Sequence, residues 1–365
     1  MLTRSRGRVV SVDATRGDAL ELTVDIGGEQ GKAIAYVSLV GSVSAEDEVL
    51  LNTTAVKKGL GTGGYHFVIA NLSSPENGED DAGHIVKARY TPVQHSVLSV
   101  EEEDSPERTS INEFQSLDGM PVIIGQLHSQ LAPAAAAVKR LLRPPARIAY
   151  VMTDSAALPL AFSRNVYELR NKGLLDATIT IGQAFGGEIE AVNIYTGLIA
   201  AKQVAGADVV VVCPGPGNVG TGTTYGFSSI EQGEIVNAVN ILGGTAIAIA
   251  RISFADPRPR HQGLSHHTLT ALGRVALTKC TLVLPMMDQM RLLTIQEQIA
   301  HSAITYKHKI RIIDGRPGIV ELQERGFRLS SMGRSFDEDP EFFLAASAAG
   351  ALAAEILRKQ GELQF

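Results

Sequence analysis

From Met120 to about residue 305 the chain repeats one pattern, a short apolar run followed by a segment long enough for a helix. "PVIIGQL" precedes a helix expected near 131–142, "ARIAYVM" one near 158–173, "ATITIG" one near 188–204 and "ADVVVVC" one near 229–242. "TAIAIARIS" and "TLVLPMM" continue the series, with helices near 265–279 and 292–305. Apolar runs of this kind belong to strands covered on both sides, so the pattern predicts an α/β fold with a Rossmann-like, largely parallel sheet and helices on both faces. Gly243-Gly244 supplies a helix stop. Asp339 and Pro340 supply the N-cap and first position of a final helix through "EFFLAASAAGALAAEILRKQ".

The residues before this pattern read differently. Up to residue 72, short stretches such as "LELTVDI", "KAIAYVSLV" and "YHFVIANL" are separated by turns such as Gly27-Gly28, which predicts a small N-terminal β-barrel or sandwich-like domain. "SSPENGEDDAG", 73–83, reads as a mobile hairpin tip or linker and "HIVKARYTPVQHSVLSV" as a further strand. The acidic "EEEDSPERTS", 101–110, reads as a solvated boundary. The expected domains are a β-rich 1–105 and an α/β 106–365.

The net charge of -6 and the lack of a Lys/Arg cluster argue against a nucleic-acid partner. No window approaches the run of about 20 apolar residues that spans a bilayer, so no membrane partner is expected. The N-terminus has no apolar stretch behind its basic residues and does not read as a signal peptide. Two cysteines, Cys213 and Cys280, cannot form a disulfide framework or thiolate cluster, which fits a cytoplasmic location.

In an open parallel sheet, ligands sit beyond the carboxyl ends of the strands. One such end is "ADVVVVCPGPGNVGTGTTYGF", 207–227, which contains a literal G-x-G-x-x-G from Gly215 to Gly220. A dinucleotide fingerprint requires a helix at its third glycine and an acidic residue about 20 positions later. Here "TGTTYGF" opposes a helix, and the first plausible acid, Asp256, lies too far along. What remains is a loop whose backbone N–H groups can line an anion-sized concavity ahead of a helix N-terminus. Gly215, Gly217, Asn218, Gly220, Thr221, Gly222 and Thr223 are its candidate ligand contacts, with Thr224 and Ser228 as further hydroxyls. Cys213, at the strand end, reads as a small buried residue.

The second constellation is "ARISFADPRPRHQGLSHHTLTALGR", 250–274. Arg251, Arg258 and Arg260 can grip an anionic substrate, and His261 or His266 can transfer protons with Asp256 or Asp154 as carboxylate partner. A divalent metal on the histidines and Asp256 is a third use, but no diagnostic spacing supports it and no metal ligand is assigned. Ser265 is a good N-cap, which places His266 and His267 in a first helical turn, where adjacent side chains diverge by about 100 degrees and do not easily share one metal. Glu188 and Asp288 suit helix starts or turns as well as catalysis, and Arg334 suits a surface position. The glycine-rich 52–72 reads more readily as a turn than as a site.

Six stretches, among them "LLNTTAVKKGLGTGGYHFVIANL", "YVMTDSAALPLAFSR", "GPGNVGTGTTYGFSSIEQGEIVNAV", "SFADPRPRHQGLSHHTLTALGRVAL" and "SMGRSFDEDPEFFLAA", together resemble the bacterial family called domain of unknown function 3866. The likeness runs in the same order over nearly the whole chain. It implies no activity and lends no role to any residue.

Three functions are therefore carried forward. The first is binding of a small phosphate- or carboxylate-bearing anion at the strand ends, with hydrolase or group-transferase chemistry if there is turnover. The second is a non-catalytic ligand sensor or scaffold. The third is a metal-dependent hydrolase using His261, His266 and His267. No cofactor is named, and the alanine-rich last helix makes a homo-oligomer plausible.

Overall fold

The computed structural model describes residues 2–74 and 83–362; residues 75–82 of the expected linker lie outside the described residues. The chain forms two compact units, Met1–Leu98 with Ala161–Tyr167, and Ser99–Leu160 with Glu168–Phe365.

The first unit is a closed barrel with strand order β1-β2-β3-β5-β4, built from β1 (Arg4–Arg16), β2 (Ala19–Ile26), β3 (Glu29–Tyr36), β4 (Glu48–Asn52) and β5 (Tyr65–Asn71). Two single-turn helices, α1 (Val37–Val40) and α2 (Thr54–Lys57), flank β4. Alternation along the strands sends Val9, Leu22, Val24, Ala33, Val49 and Leu51 inward, and closure leaves the five strands no free edge. A second apolar cluster joins Ile34, Tyr36 and Phe67 to Ala161 and Phe162 of the returning segment. Arg164 anchors that segment, 2.6 Å from Glu21 and 2.7 Å from the Tyr65 hydroxyl. The further strand expected at 84–100 is instead a hairpin of β6 (Ile85–Lys87) and β7 (His95–Val97), turned by the "RYTPVQ" run.

In the second unit β8 (Pro121–Ile124), β9 (Ile148–Thr153), β10 (Ala177–Ile181), β11 (Ile189–Ala191), β12 (Val209–Pro214), β13 (Thr245–Ile249), β16 (Thr281–Pro285) and β17 (Lys309–Ile313) form one sheet. Every pair is parallel, in the order β11-β10-β9-β12-β8-β13-β16-β17. The insertion of β12 between β8 and β9 departs from the usual Rossmann order. The main helices are α4 (Leu131–Leu141), α6 (Ile194–Gln203), α7 (Glu231–Ile241), α8 (His266–Thr270), α9 (Gln289–Ala300), α11 (Arg316–Glu324) and α12 (Pro340–Glu362), with α3 (Arg108–Asn112) and α10 (Ile304–Lys307) short; α5 (Arg164–Asn171) begins in the segment of the first unit and ends in the second. Two antiparallel pairs of two-residue strands, β14–β15 (Ile252–Ser253, Gly263–Leu264) and the β18–β19 hairpin (Ser330–Ser331, Arg334–Ser335), complete the unit.

Several expectations are corrected locally. The helix expected near 188–204 gives its first residues to β11, because Ile189 and Ala191 extend the sheet edge. The helix near 158–173 shrinks to α5. The helix near 265–279 closes as α8 and a π-helical turn, Ala271–Val275. The acidic boundary is not wholly solvated, since Glu102 is buried and accepts the Ser99 N–H at 2.7 Å. By length and composition α12 could cross a bilayer, contrary to the sequence reading, yet 72% of its apolar window is buried inside the protein. It packs against α4 so closely that a side chain at Gly350 would lie 2.1 Å from the Ala134 carbonyl oxygen. The small-residue face that suggested an oligomer is therefore consumed within the chain.

Candidate functional site

The order of the strands decides where loops can gather. From β8 the chain steps through β9 to β10 in one direction, and from β12 through β13 to β16 in the other. α4 packs with α11 and α12, while α7 packs with α6 and the π-helical turn after α8, so helices cover both faces, and the reversal of direction opens a crevice at the carboxyl ends of β9, β12, β8 and β13. The glycine loop leaves β12 and the arginine-histidine stretch leaves β13, so both constellations lie at these ends.

The three histidines come together. Ring centroids lie 5.1 Å apart for His261 and His266, 5.0 Å for His261 and His267, and 4.4 Å for His266 and His267. Ser265 caps α8 as expected, accepting the His267 N–H. The adjacent rings do share one place, contrary to the divergence argument, because stacking on Phe227 at 3.9 Å and a bond from Arg251 turn His267 toward its neighbours. One nitrogen on each of the three falls within 4.8 Å of the others.

Their protonation follows from their partners. Arg251 Nη1 donates to His267 Nδ1 at 2.9 Å, and a guanidinium can only donate, so neutral His267 carries its proton on Nε2. Ser265 Oγ lies 2.7 Å from His261 Nδ1 while accepting the His267 amide, and because a hydroxyl can donate one bond and accept two, this contact orients the His261 ring with either tautomer. His266 Nε2 is buried with no partner. Burial first, then the Arg251 charge, pushes His261 down to about 3 and His267 down to about 2; burial and Arg260 lower His266. All three are neutral near pH 7.

Arg251 is 4% exposed. Its guanidinium bonds only to His267 and, through Nη2 at 3.5 Å, to the Met332 sulfur, and among the described residues no carboxylate pairs with it. Asp256 is fully buried but committed, accepting from Arg258 Nε at 2.9 Å and Nη2 at 2.7 Å with Arg334 at 3.5 Å, and these bonds hold it well below the usual carboxylate range. It makes no hydrogen bond to a histidine. Arg334 is part of this group, held by Asp339 at 2.9 Å, and Asp339 also takes the Ser253 hydroxyl at 2.8 Å. Arg260 is exposed, its guanidinium carbon 3.5 Å from where a side chain on Gly222 would begin.

The glycine loop reaches the same place. A Cβ on Gly220 would lie 3.2 Å from the His267 ring, and Gly217 and Gly222 take positive φ that only glycine adopts easily. Thr221 and Thr223 bond to each other at 2.9 Å and to the Gly226 backbone, so their hydroxyls brace the loop. Asn218 accepts from Ser228 and Ser229 and thus caps the turn leading into α7. Gly215 is buried, with the Ala157 carbonyl 2.7 Å from its missing Cβ. A cleft of about 680 Å³ opens beside His266, lined by Gly222, Thr224, Arg274, Gln298 and His301 among others.

Asp154 is elsewhere. It follows β9, three strands from β13, and its exposed carboxylate accepts the Gln183 N–H at 2.8 Å. Beside it stands a residue that the sequence reading missed. Glu231, first in α7, accepts the Thr153 hydroxyl at 2.6 Å and the Ser155 hydroxyl at 2.8 Å, both on Oε1. Burial outweighs those bonds and pushes its carboxyl up to about 7, with Asp154 and Glu234 adding repulsion. The signal was two hydroxyls at a strand end and a glutamate at the next helix start, which alone reads as ordinary dipole complementation. Of the weaker candidates, Asp288 caps α9 and Glu188 pairs with Arg170. Cys213 is buried, which pushes its thiol up to about 12.

Fold and site thus define an α/β protein with an N-terminal barrel and, at its strand ends, a cluster of arginines, one of them buried, with neutral histidines. The family model described as a protein of unknown function, DUF3866, matches residues 32–350, and the chain belongs to that family. No curated protein and no solved structure matches the chain.

Proposed function

We propose that the second unit binds a small anion, phosphate- or carboxylate-bearing, where Arg251, Arg260, the three histidines and Gly220–Gly222 converge. Arg251 carries this reading. A buried guanidinium with no carboxylate bonded to it, only Asp256 acting on it from a distance, is a costly charge that proteins rarely keep unless something else neutralises it. The Nε2–H of His267 and the orphaned His266 Nε2 supply hydrogen-bonding capacity toward a ligand. If the ligand is turned over, hydrolysis or group transfer fits; binding without consumption of ligand would make the protein a sensor.

The nitrogen spacing of the histidines favours a second reading, a metal site. Against it, a metal-ligating histidine donates its other N–H to an acceptor, whereas His267 Nδ1 faces an arginine donor and the surroundings are cationic.

Arg251→Met separates function from folding. It should abolish binding of inorganic phosphate, nucleotides or carboxylates in calorimetry, a loss on the order of 100-fold for a charge-assisted contact. In the ligand-free protein it should leave the melting temperature unchanged or raise it, because a costly buried charge is gone. Unaltered anion affinity in this variant would refute the reading.

A further inference from the structure

The β18–β19 hairpin ends in the pair Met332-Gly333, with φ of 51° and 79°. Two successive positive φ values define a tight turn that selects Asn, Asp or Gly at its first place, and methionine there runs against local preference. The stems are fixed, by Ser331 Oγ on Ser129 Oγ at 2.8 Å and by Arg334 on Asp339. The tip presents the Met332 sulfur to two guanidiniums, 3.5 Å from Arg251 Nη2 and 3.9 Å from Arg258 Nη2, while the residue as a whole remains 44% exposed. A thioether is a weak acceptor and a poor match for two charge-bearing donors.

The charges around it are unbalanced. Arg258, Arg260 and Arg334 each act on Arg251, with Asp256 opposing them; the buried carboxylates bonded to these arginines are Asp256 and Asp339, and Glu338 interacts with Arg334 from the surface. Four guanidiniums against the two buried carboxylates leave an excess of two positive charges, which only the solvent-exposed Glu338 reduces.

Resting on the anion reading above, we propose that the ligand is a doubly charged tetrahedral oxyanion, free or at the end of a phosphate monoester. It enters between Arg251 and Arg258 by displacing the Met332 thioether, so the hairpin tip gates the site. The oxyanion offers several acceptors where sulfur offers one weak one, and its charge equals the local excess. Since the tip is half exposed and its stems are anchored independently, the side chain can swing out without unfolding the hairpin.

Calorimetry on the full chain tests this, with inorganic phosphate, sulfate, glycerol 3-phosphate and acetate as probes. Met332→Gly suits the turn's backbone and removes the plug, so it should bind phosphate about tenfold more tightly, the gain that follows when a mostly closed state no longer competes. Met332→Leu keeps the bulk but not the sulfur and should fall between. Both dianions should bind far better than acetate. If phosphate binds in an Arg251-dependent way but both Met332 variants match the native protein, the gate is overturned and the anion reading stands. If acetate equals sulfate, the dianion is overturned; if no probe binds any variant, both proposals fall. A tighter ester than free phosphate, or the reverse, supports the dianion and tells which form is taken. The Met332 methyl carbon signal, assigned by its loss in Met332→Leu, should shift on saturation with phosphate, and a fixed signal would count against displacement.

Discussion

Gly61-Thr62-Gly63 lies between β4 and β5 of the barrel, and Gly220-Thr221-Gly222 lies between β12 and α7 of the sheet unit. In both, a threonine hydroxyl bonds back to its own loop, Thr62 to the Tyr65 carbonyl at 3.1 Å and Thr221 to the Gly226 carbonyl at 2.9 Å. The glycines differ in what surrounds them. A methyl group on Gly59, Gly61 or Gly64 would meet nothing within 4 Å, whereas on Gly215, Gly220 or Gly222 it would meet a backbone carbonyl, a histidine ring or a guanidinium. Glycine serves backbone freedom in the first loop, at Gly59 and Gly64, while the second adds close approach at Gly215 and Gly220 to backbone freedom at Gly217 and Gly222. The composition of a loop does not tell these apart; its neighbours do.

Three substitutions sharpen the contrast. Gly215→Ala forces a Cβ to within 2.7 Å of the Ala157 oxygen, a backbone atom in a segment tied to Pro216, and should cost roughly 3 kcal/mol in denaturant unfolding. A loss below a few tenths would show that the second loop is as slack as the first. Glu231→Gln tests the carboxyl at the end of the second loop. Its pKa is raised from 4.5 to about 7, so the folded protein holds a proton that the unfolded chain releases, and stability from this group falls as pH climbs between those values. The substitution should flatten that fall, making the variant more stable than the native protein at pH 8 by about 2 kcal/mol and no more stable at pH 4. An unchanged pH profile would place Glu231 among ordinary helix-start acids. Gly61→Ala should move stability by less than about 0.5 kcal/mol in either direction; a larger drop would mean that the barrel loop is packed after all.

Much of the architecture was legible because burial on two faces requires apolar runs. "VVVVC" and "IAYVM" announce interior strands whatever their order, and the barrel strands show their alternation. The order itself was not legible: nothing within β12 says that it inserts between β8 and β9, since any of these strands could pair with any other. At the site, clustering of Arg251, His261 and His266 followed from spacing along one strand-loop-helix passage. Which groups cancel one another did not. Asp256 and Asp154 looked like equal partners for a histidine, yet one is taken by arginines and the other caps a distant turn. Met332 and Glu231 escaped notice because each is unremarkable until its neighbours, from residues far along the chain, are in place.

The Ala161–Tyr167 segment has a practical consequence. The chain leaves the sheet unit after Leu160, contributes Phe162 and Arg164 to the barrel, and returns at Glu168. No single cut separates the units: 99–365 expressed alone would carry an apolar segment stripped of its cover, and 1–98 alone would leave Tyr36 and Phe67 bare. Dissection of this protein calls for excising or grafting that short segment, and failure of either half to fold by itself would report on the cut before it reported on the site.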